Sequence, residues 1–227
     1  MEFSDASRKN LFSFKELKIS FDKVPLGTIA IVASFIFISS SIIAQTKSFE
    51  FLNVPGNATL SSLGGVNVSS ANQNVFFFQT NPALAGDTTN GWGSASYLFY
   101  FANLGMANFS YQHDFEKVGT LSFGAQHLGY GQIEGYDAIG VATGKFTSSE
   151  TALFIGKSHR LNNFGLGVNM KGVFSNMAGY RANAILFDLG GVFIHPQQDL
   201  KVGLVIKNFG FLLSEYSETS TTRLLIC

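Results

Sequence analysis

Four histidines and one cysteine are the side chains of this 227-residue chain best suited to nucleophilic or metal chemistry. His113-Asp114 is the one neighbouring His–acid pair, but consecutive strand residues point to opposite faces, so the two do not form a dyad by themselves. They open a short polar turn, and His159 and His195 border turns as well; His127 has no acidic neighbour. A Ser-His-acid set is recognised in space and not by chain order, so the sequence leaves it open. No histidine, however, stands where a reaction demands one, and the reading is non-enzymatic. No His or Cys occurs at metal-ligand spacing, and the glycines of "GLGVNMKG" (165–172) alternate with apolar residues. That pattern suits packing or clearance inside a lumen better than a phosphate cradle. Cys227 is the last residue and has no internal partner. No metal or cofactor is expected.

The elements that would position these residues are strands. Gly and Phe each number 24, a composition that favours pleated surfaces over helices. Fifteen basic and fifteen acidic residues cancel, so nothing suggests a nucleic-acid partner. The amino-terminal part stands apart. Arg8, Lys9, Lys15, Lys18 and Lys23 precede the uncharged run Pro25–Ala44, the order of a secretory signal peptide over residues 1–44. An uncleaved anchor is the alternative, since the run is just long enough to span a membrane.

Period-two alternation dominates the remainder. Phe164, Leu166, Val168, Met170 and Phe174 share one face, with Gly165, Gly167, Asn169, Lys171 and Val173 on the other. Leu200, Val202, Leu204 and Ile206 alternate in the same way with Lys201, Gly203, Val205 and Lys207. With similar stretches over 92–101, 104–113, 119–128, 150–159 and 184–194, seven strands of about ten residues are expected, the length of a tilted membrane-crossing strand. Apparent connections alternate between tight (114–118, 161–163, 195–199) and long (129–149, 176–183), as in outer-membrane barrels with short periplasmic turns. On that parity 129–149, 176–183 and the chain after 210 face outside. A regular hairpin around 176–183 sets Lys171 opposite Asp188, and the next turn sets Asp188 opposite Lys207. The expectation is a lumenal charge cluster of Lys171, Asp188 and Lys207, because charges facing lipid are costly. Contact of each with lumenal water alone is the simpler alternative.

Residues 45–91 do not read as wall. "PGNATLSSLGG" (55–65) predicts a short helix stopped after Leu63 by Gly64-Gly65. Val75-Phe76-Phe77-Phe78 reads as buried, and Asn81-Pro82-Ala83 as a hinge leading to the first strand. A compact segment ahead of a barrel is a candidate lumen plug; a periplasmic extension is the alternative. The Gly- and Tyr-rich stretch 129–149 offers Tyr130, Tyr136, Asp137 and Lys145 as a partner-docking loop.

"FLNVPGNATLSSLGGVNVS…NPALAG" and the later "DLGGVFIHPQQDLKVGLVIKNFG" resemble the PorV/PorQ group of type IX secretion proteins, over residues 50–218 and with the PorQ members the more similar. That group consists of long-chain-fatty-acid-transporter-like outer-membrane barrels of the Bacteroidetes. The resemblance implies a fourteen-strand barrel with an amino-terminal segment inside it. It also implies a surface role holding a PorZ-like protein, with PorU and PorV as further candidate partners, in the complex that anchors secreted cargo. The organisation expected is therefore a signal peptide (1–44), a plug segment (45–91), a partial all-β antiparallel barrel (92–218) with about the first half of the strands, and an atypical tail (219–227) of a truncated chain. A channel for hydrophobic small molecules is the competing function.

Overall fold

A computed structural model describes residues 49–70, 74–216 and 223–226. The expected signal peptide lies outside them. Among the described residues the chain forms one antiparallel sheet of eight strands in sequential order, seven long and one short. They are β1 (Gly93–Phe99), β2 (Gly105–Phe115), β3 (Gly119–Tyr136), β4 (Ala142–Leu161), β5 (Phe164–Met177), β6 (Tyr180–Ile194), β7 (Lys201–Ser214) and β8 (Arg223–Ile226). Helix is scarce among the described residues: α1 (Ala58–Ser62) and a few 3-10 turns precede the sheet. The sheet is open, with β1 and β8 as its outer strands. Among the described residues no helix is long and apolar enough to cross a membrane, which does not bear on crossing by strands.

The seven expected strands are all present, but the connections differ from expectation. Both apparently long connections are strand. Residues 176–183 reduce to the two-residue turn Ala178-Gly179, with φ of 52° and 93°. Positive φ at both central residues matches the right-handed twist of the flanking strands, so the ladder runs on to Met177↔Tyr180. Residues 129–149 are a two-stranded arm. β3 pairs with β2 only as far as Gly129, and β4 pairs with β5 only from Ser149, while Gln132↔Thr147 through Tyr136↔Ala142 continue the β3–β4 ladder. Small and polar residues hid this arm from an apolar-alternation reading, since a solvated ribbon needs no apolar face. Asp137 closes its tip, its carboxylate accepting from the N–H of Ile139 at 3.0 Å and of Val141 at 2.8 Å. The tail, expected to lie outside the alternation, contributes β8, which pairs with β7 from Phe209↔Ile226 to Leu212↔Arg223.

The two faces of the sheet reverse the usual distribution. The buried face carries Asn108, Ser110, Gln112, Ser122, Gln126, Glu150, Asn169, Lys171, Ser175 and Asp188. The exposed face carries Phe109, Phe123, Leu153, Ile155, Leu166, Val168, Met170, Leu189, Leu204 and Ile206. Soluble proteins seldom expose so large a contiguous apolar surface.

Candidate functional site

The polar face is covered by residues 49–70 and 74–86. Asparagines start three of the turns there. Asn57 accepts from Leu60 N at 2.9 Å, Asn74 from Phe76 N at 2.9 Å and Asn81 from Ala83 N at 3.0 Å, each satisfying a backbone donor that the short turn cannot. The helix expected after Pro55 is α1, and Gly64 and Gly65 end it with φ of 78° and 84°. Val75–Gln79 is a buried 3-10 turn in which Phe77 and Phe78 are 1% and 0% exposed.

Six glycines on the same face of five strands make room for this segment. A Cβ on Gly124 or Gly156 would meet the Phe78 ring, one on Gly165 Ala83, one on Gly167 the backbone of Pro82, one on Gly190 Asn81, and one on Gly203 the backbone of Val68. The packing role expected of the "GLGVNMKG" glycines falls to Gly165 and Gly167, whereas Gly172 is on the opposite face beside Phe174, and the six glycines form a groove that spans β3 to β7. Side chains of the sheet then satisfy the segment's backbone carbonyls. Asn169 donates to Phe78 O at 2.7 Å, Gln126 to Phe51 O at 2.9 Å and Ser96 to Gly56 O at 2.7 Å. Gln79 of the segment donates to Asn108 at 2.9 Å and Ser110 at 2.8 Å. Irregular backbone buried in this way needs such partners.

Asn81-Pro82-Ala83, expected as a hinge leading to the first strand, is packed firmly on the sheet. All three residues are buried, and Asn81 donates to Val68 O at 2.6 Å and Gly191 O at 3.4 Å. Proline fits because its missing N–H leaves one donor fewer to satisfy where the backbone meets Gly167 and Gly190. Gly167→Ala is expected to cost about 1–3 kcal/mol by overpacking, because the atoms in the way are backbone and cannot rotate aside. Gly191→Ala, whose Cβ would meet only Leu166 Cδ2 at 3.8 Å, is the control. Denaturant midpoints of the two variants check this; equal midpoints would refute the tight seat.

The charge cluster lies at the centre of the polar face. Lys171 Nζ is 2.7 Å from Asp188 Oδ1, with side chains 1% and 0% exposed. The expected register is two residues off: Lys171 is opposite Leu186, and Asp188 is opposite Asn169, so the ion pair is diagonal. A bulge in β7 opposite Asp188 replaces the expected one-to-one pairing with Lys207. Asn208 there has φ 56°, and it donates its N–H to Asp188 Oδ1 at 2.9 Å and accepts from Lys171 Nζ at 2.6 Å. Lys207 comes alongside, within reach of the Asp188 charge, and lines a cavity of about 260 Å³ with Gln126, Phe154, Val205 and the covering segment. A more open hollow lined by Phe51, Tyr100, Leu104, Leu128 and Tyr130 shares Asn53 and Val54 with it.

The four proposed docking residues separate. Tyr130 faces inward and donates to Glu150 Oε2 at 2.6 Å, in a cluster with Ser175 and Tyr216. Burial, with the Glu150 charge adding to it, pushes the Tyr216 hydroxyl up, while its contact with Ser175 pulls the other way. Tyr136, Asp137 and Lys145 lie on the exposed part of the arm, where Lys145 is 3.7 Å from Glu134 and Tyr136 donates to Glu134 at 2.9 Å. Asn208, Glu150, Gln126 and Asn169 were not singled out by the sequence reading. The signal for Glu150, Gln126 and Asn169 was a polar residue in the inward phase of an alternating strand; Asn208 carried none, because it has the outward parity of Leu204 and Ile206 and only the bulge turns it inward.

The histidines are dispersed. His195 Nδ1 accepts from Gln197 and Gln198 N–H and caps its turn, His127 meets Thr151 at 2.8 Å, and His113 packs edge-on to Phe115. Among the described residues no group of three His, Cys, Asp or Glu could hold a metal. Fold and site together define an open antiparallel sheet whose polar face is occupied by its own amino-terminal segment. The chain matches no protein-family model, and a search of curated proteins gives no significant match.

Proposed function

We propose that this chain is part of an outer-membrane β-barrel wall, with residues 49–86 as its lumen plug. The observation that carries the reading is the reversed distribution of side chains, apolar where exposed and polar where covered. Such a sheet suits lipid outside and a filled lumen inside, provided that strands pair with its two open edges. The strand lengths of 14, 15 and 14 residues in β5, β6 and β7 are ample for a tilted crossing.

Within that class, the chain is proposed to act without catalysis in type IX secretion, as a PorQ-like barrel holding a PorZ-like surface protein, with PorU and PorV as further partners. The residues quoted for the PorV/PorQ resemblance support this, and the projecting β3–β4 arm gives a partner something to grip: Tyr136 and Ile139 at its tip are 60% and 85% exposed. The second reading, a channel for hydrophobic small molecules, is favoured by the two adjoining cavities beside the plug. Deleting the gene in its host separates the two. Loss of cargo from the cell surface with unchanged uptake of hydrophobic solutes is the expected result; retained cargo with reduced uptake would replace docking by transport.

A further inference from the structure

The buried cluster on β5, β6 and β7 contains the three groups that an amide-forming condensation requires. An amine, Lys171 Nζ, touches the side-chain amide oxygen of Asn208 at 2.6 Å. A carboxylate, Asp188, touches the same amine at 2.7 Å. Lys171, Asn208 and Asp188 are 1%, 2% and 0% exposed, and the Phe154 ring lies 5.6 Å from Nζ. An ion pair alone does not require Asn208. Its left-handed backbone at the bulge brings the amide to the lysine, at a position where asparagine is one of the few residues to sit without much strain. Asp188 is itself held in place, by the Asn208 N–H at 2.9 Å and by Asn169 Nδ2 at 3.4 Å.

We propose that Lys171 and Asn208 become joined by an intramolecular isopeptide bond, tying β5 to β7 across β6, with Asp188 as the proton carrier. The Lys171 ammonium gives a proton to Asp188. The freed amine attacks Asn208 Cγ, and the resulting tetrahedral adduct collapses as Asp188 returns its proton to the departing amide nitrogen. The new Nζ–Cγ bond replaces the Cγ–Nδ2 bond. Nδ2 leaves as ammonia, which takes up the second proton released from Nζ and departs as ammonium, and Asp188 ends as the carboxylate it began as. No oxidant, nucleotide or metal enters the balance. Contact between the amine and the amide oxygen leaves only a small side-chain adjustment to reach Cγ, so the fold supplies the proximity that drives such a step. Burial keeps water from competing with the amine.

Mass measurement of the full chain, extracted from membranes and completely denatured, tests this directly. The wild-type protein should be lighter by one ammonia than the mass calculated for its own amino terminus. Protease digestion should release one branched peptide joining the segments around Lys171 and Asn208. Asn208→Ala and Asp188→Asn should each restore the calculated mass. A folded wild-type chain at full mass would overturn the proposal. So would an ammonia deficit that peptide mapping places elsewhere, for example a succinimide at Asn90-Gly91. A cross-link surviving in Asp188→Asn would overturn the proton-carrier role. Should that variant not fold, the wild-type peptide map and Asn208→Ala decide the matter.

Discussion

Truncating Phe78 to alanine is expected to destabilise the protein by about 3–5 kcal/mol, the range for removing a buried phenylalanine. Phe78 is 0% exposed, stands edge-on to Phe154 with ring centroids 6.4 Å apart, and rests on Gly124 and Gly156. Two terms add. The ring's apolar surface loses its burial, and the space above two glycines cannot be refilled from the sheet, because neither has a side chain to move. The segment's hold on the sheet should weaken as well, since Phe78 O is the acceptor of Asn169 at 2.7 Å. Denaturant unfolding in phospholipid vesicles measures the loss, and limited proteolysis between 75 and 85 reports whether the segment leaves its seat. Phe78→Leu should recover part of the stability. A loss below about 1 kcal/mol would place Phe78 among ordinary surface substitutions and contradict its role as the anchor of the covering segment.

Met170→Arg is expected to cost about 2–4 kcal/mol in a bilayer, the penalty for a cation on the lipid face of a barrel near its midplane. Met170 is on the face away from the amino-terminal segment, is 46% exposed and lies opposite Ile155 on β4 and Phe187 on β6. On a water-facing sheet the same change would stay within about 0.5 kcal/mol. The size of the effect therefore separates the two environments without reference to function. Ile139→Arg, at the tip of the arm and 85% exposed, is the matched control and should be silent in either case. If both variants unfold at the same denaturant concentration, the apolar face does not meet lipid and the membrane reading fails.

Much of the sheet was legible because a strand writes its two faces into alternate residues. Phe164 to Phe174 and Leu200 to Ile206 gave the outer face directly, and Lys171 and Asp188 were recognisable as inward residues from the same phase. The helix before Gly64-Gly65 was legible from the proline near its start and its glycine stop, which are local signals; its asparagine cap came to light only in the structure. The arm at 129–149 was not, since its residues lack the apolar alternation of the rest of the sheet and pair through backbone hydrogen bonds that any sequence can make. The two-residue shift in the Lys171–Asp188 pairing was likewise hidden, because it depends on turn geometry at Ala178-Gly179 and not on residue type.

What the sequence determined by itself is the β character, the strand phase and which side of each strand carries charge, since all of these follow from nearest-neighbour periodicity. Tertiary structure alone decided that Asn81-Pro82-Ala83 is buried against the sheet. It also decided that Tyr130 turns inward to Glu150 and that Asn208 completes the Lys171–Asp188 pair. Each of these depends on side chains or backbones that lie far apart along the chain, separated by 20 residues between Tyr130 and Glu150, 37 between Lys171 and Asn208, and 110 between Asn81 and Gly191. Local sequence carries no record of such distances; they are set by the order and register in which the strands pair.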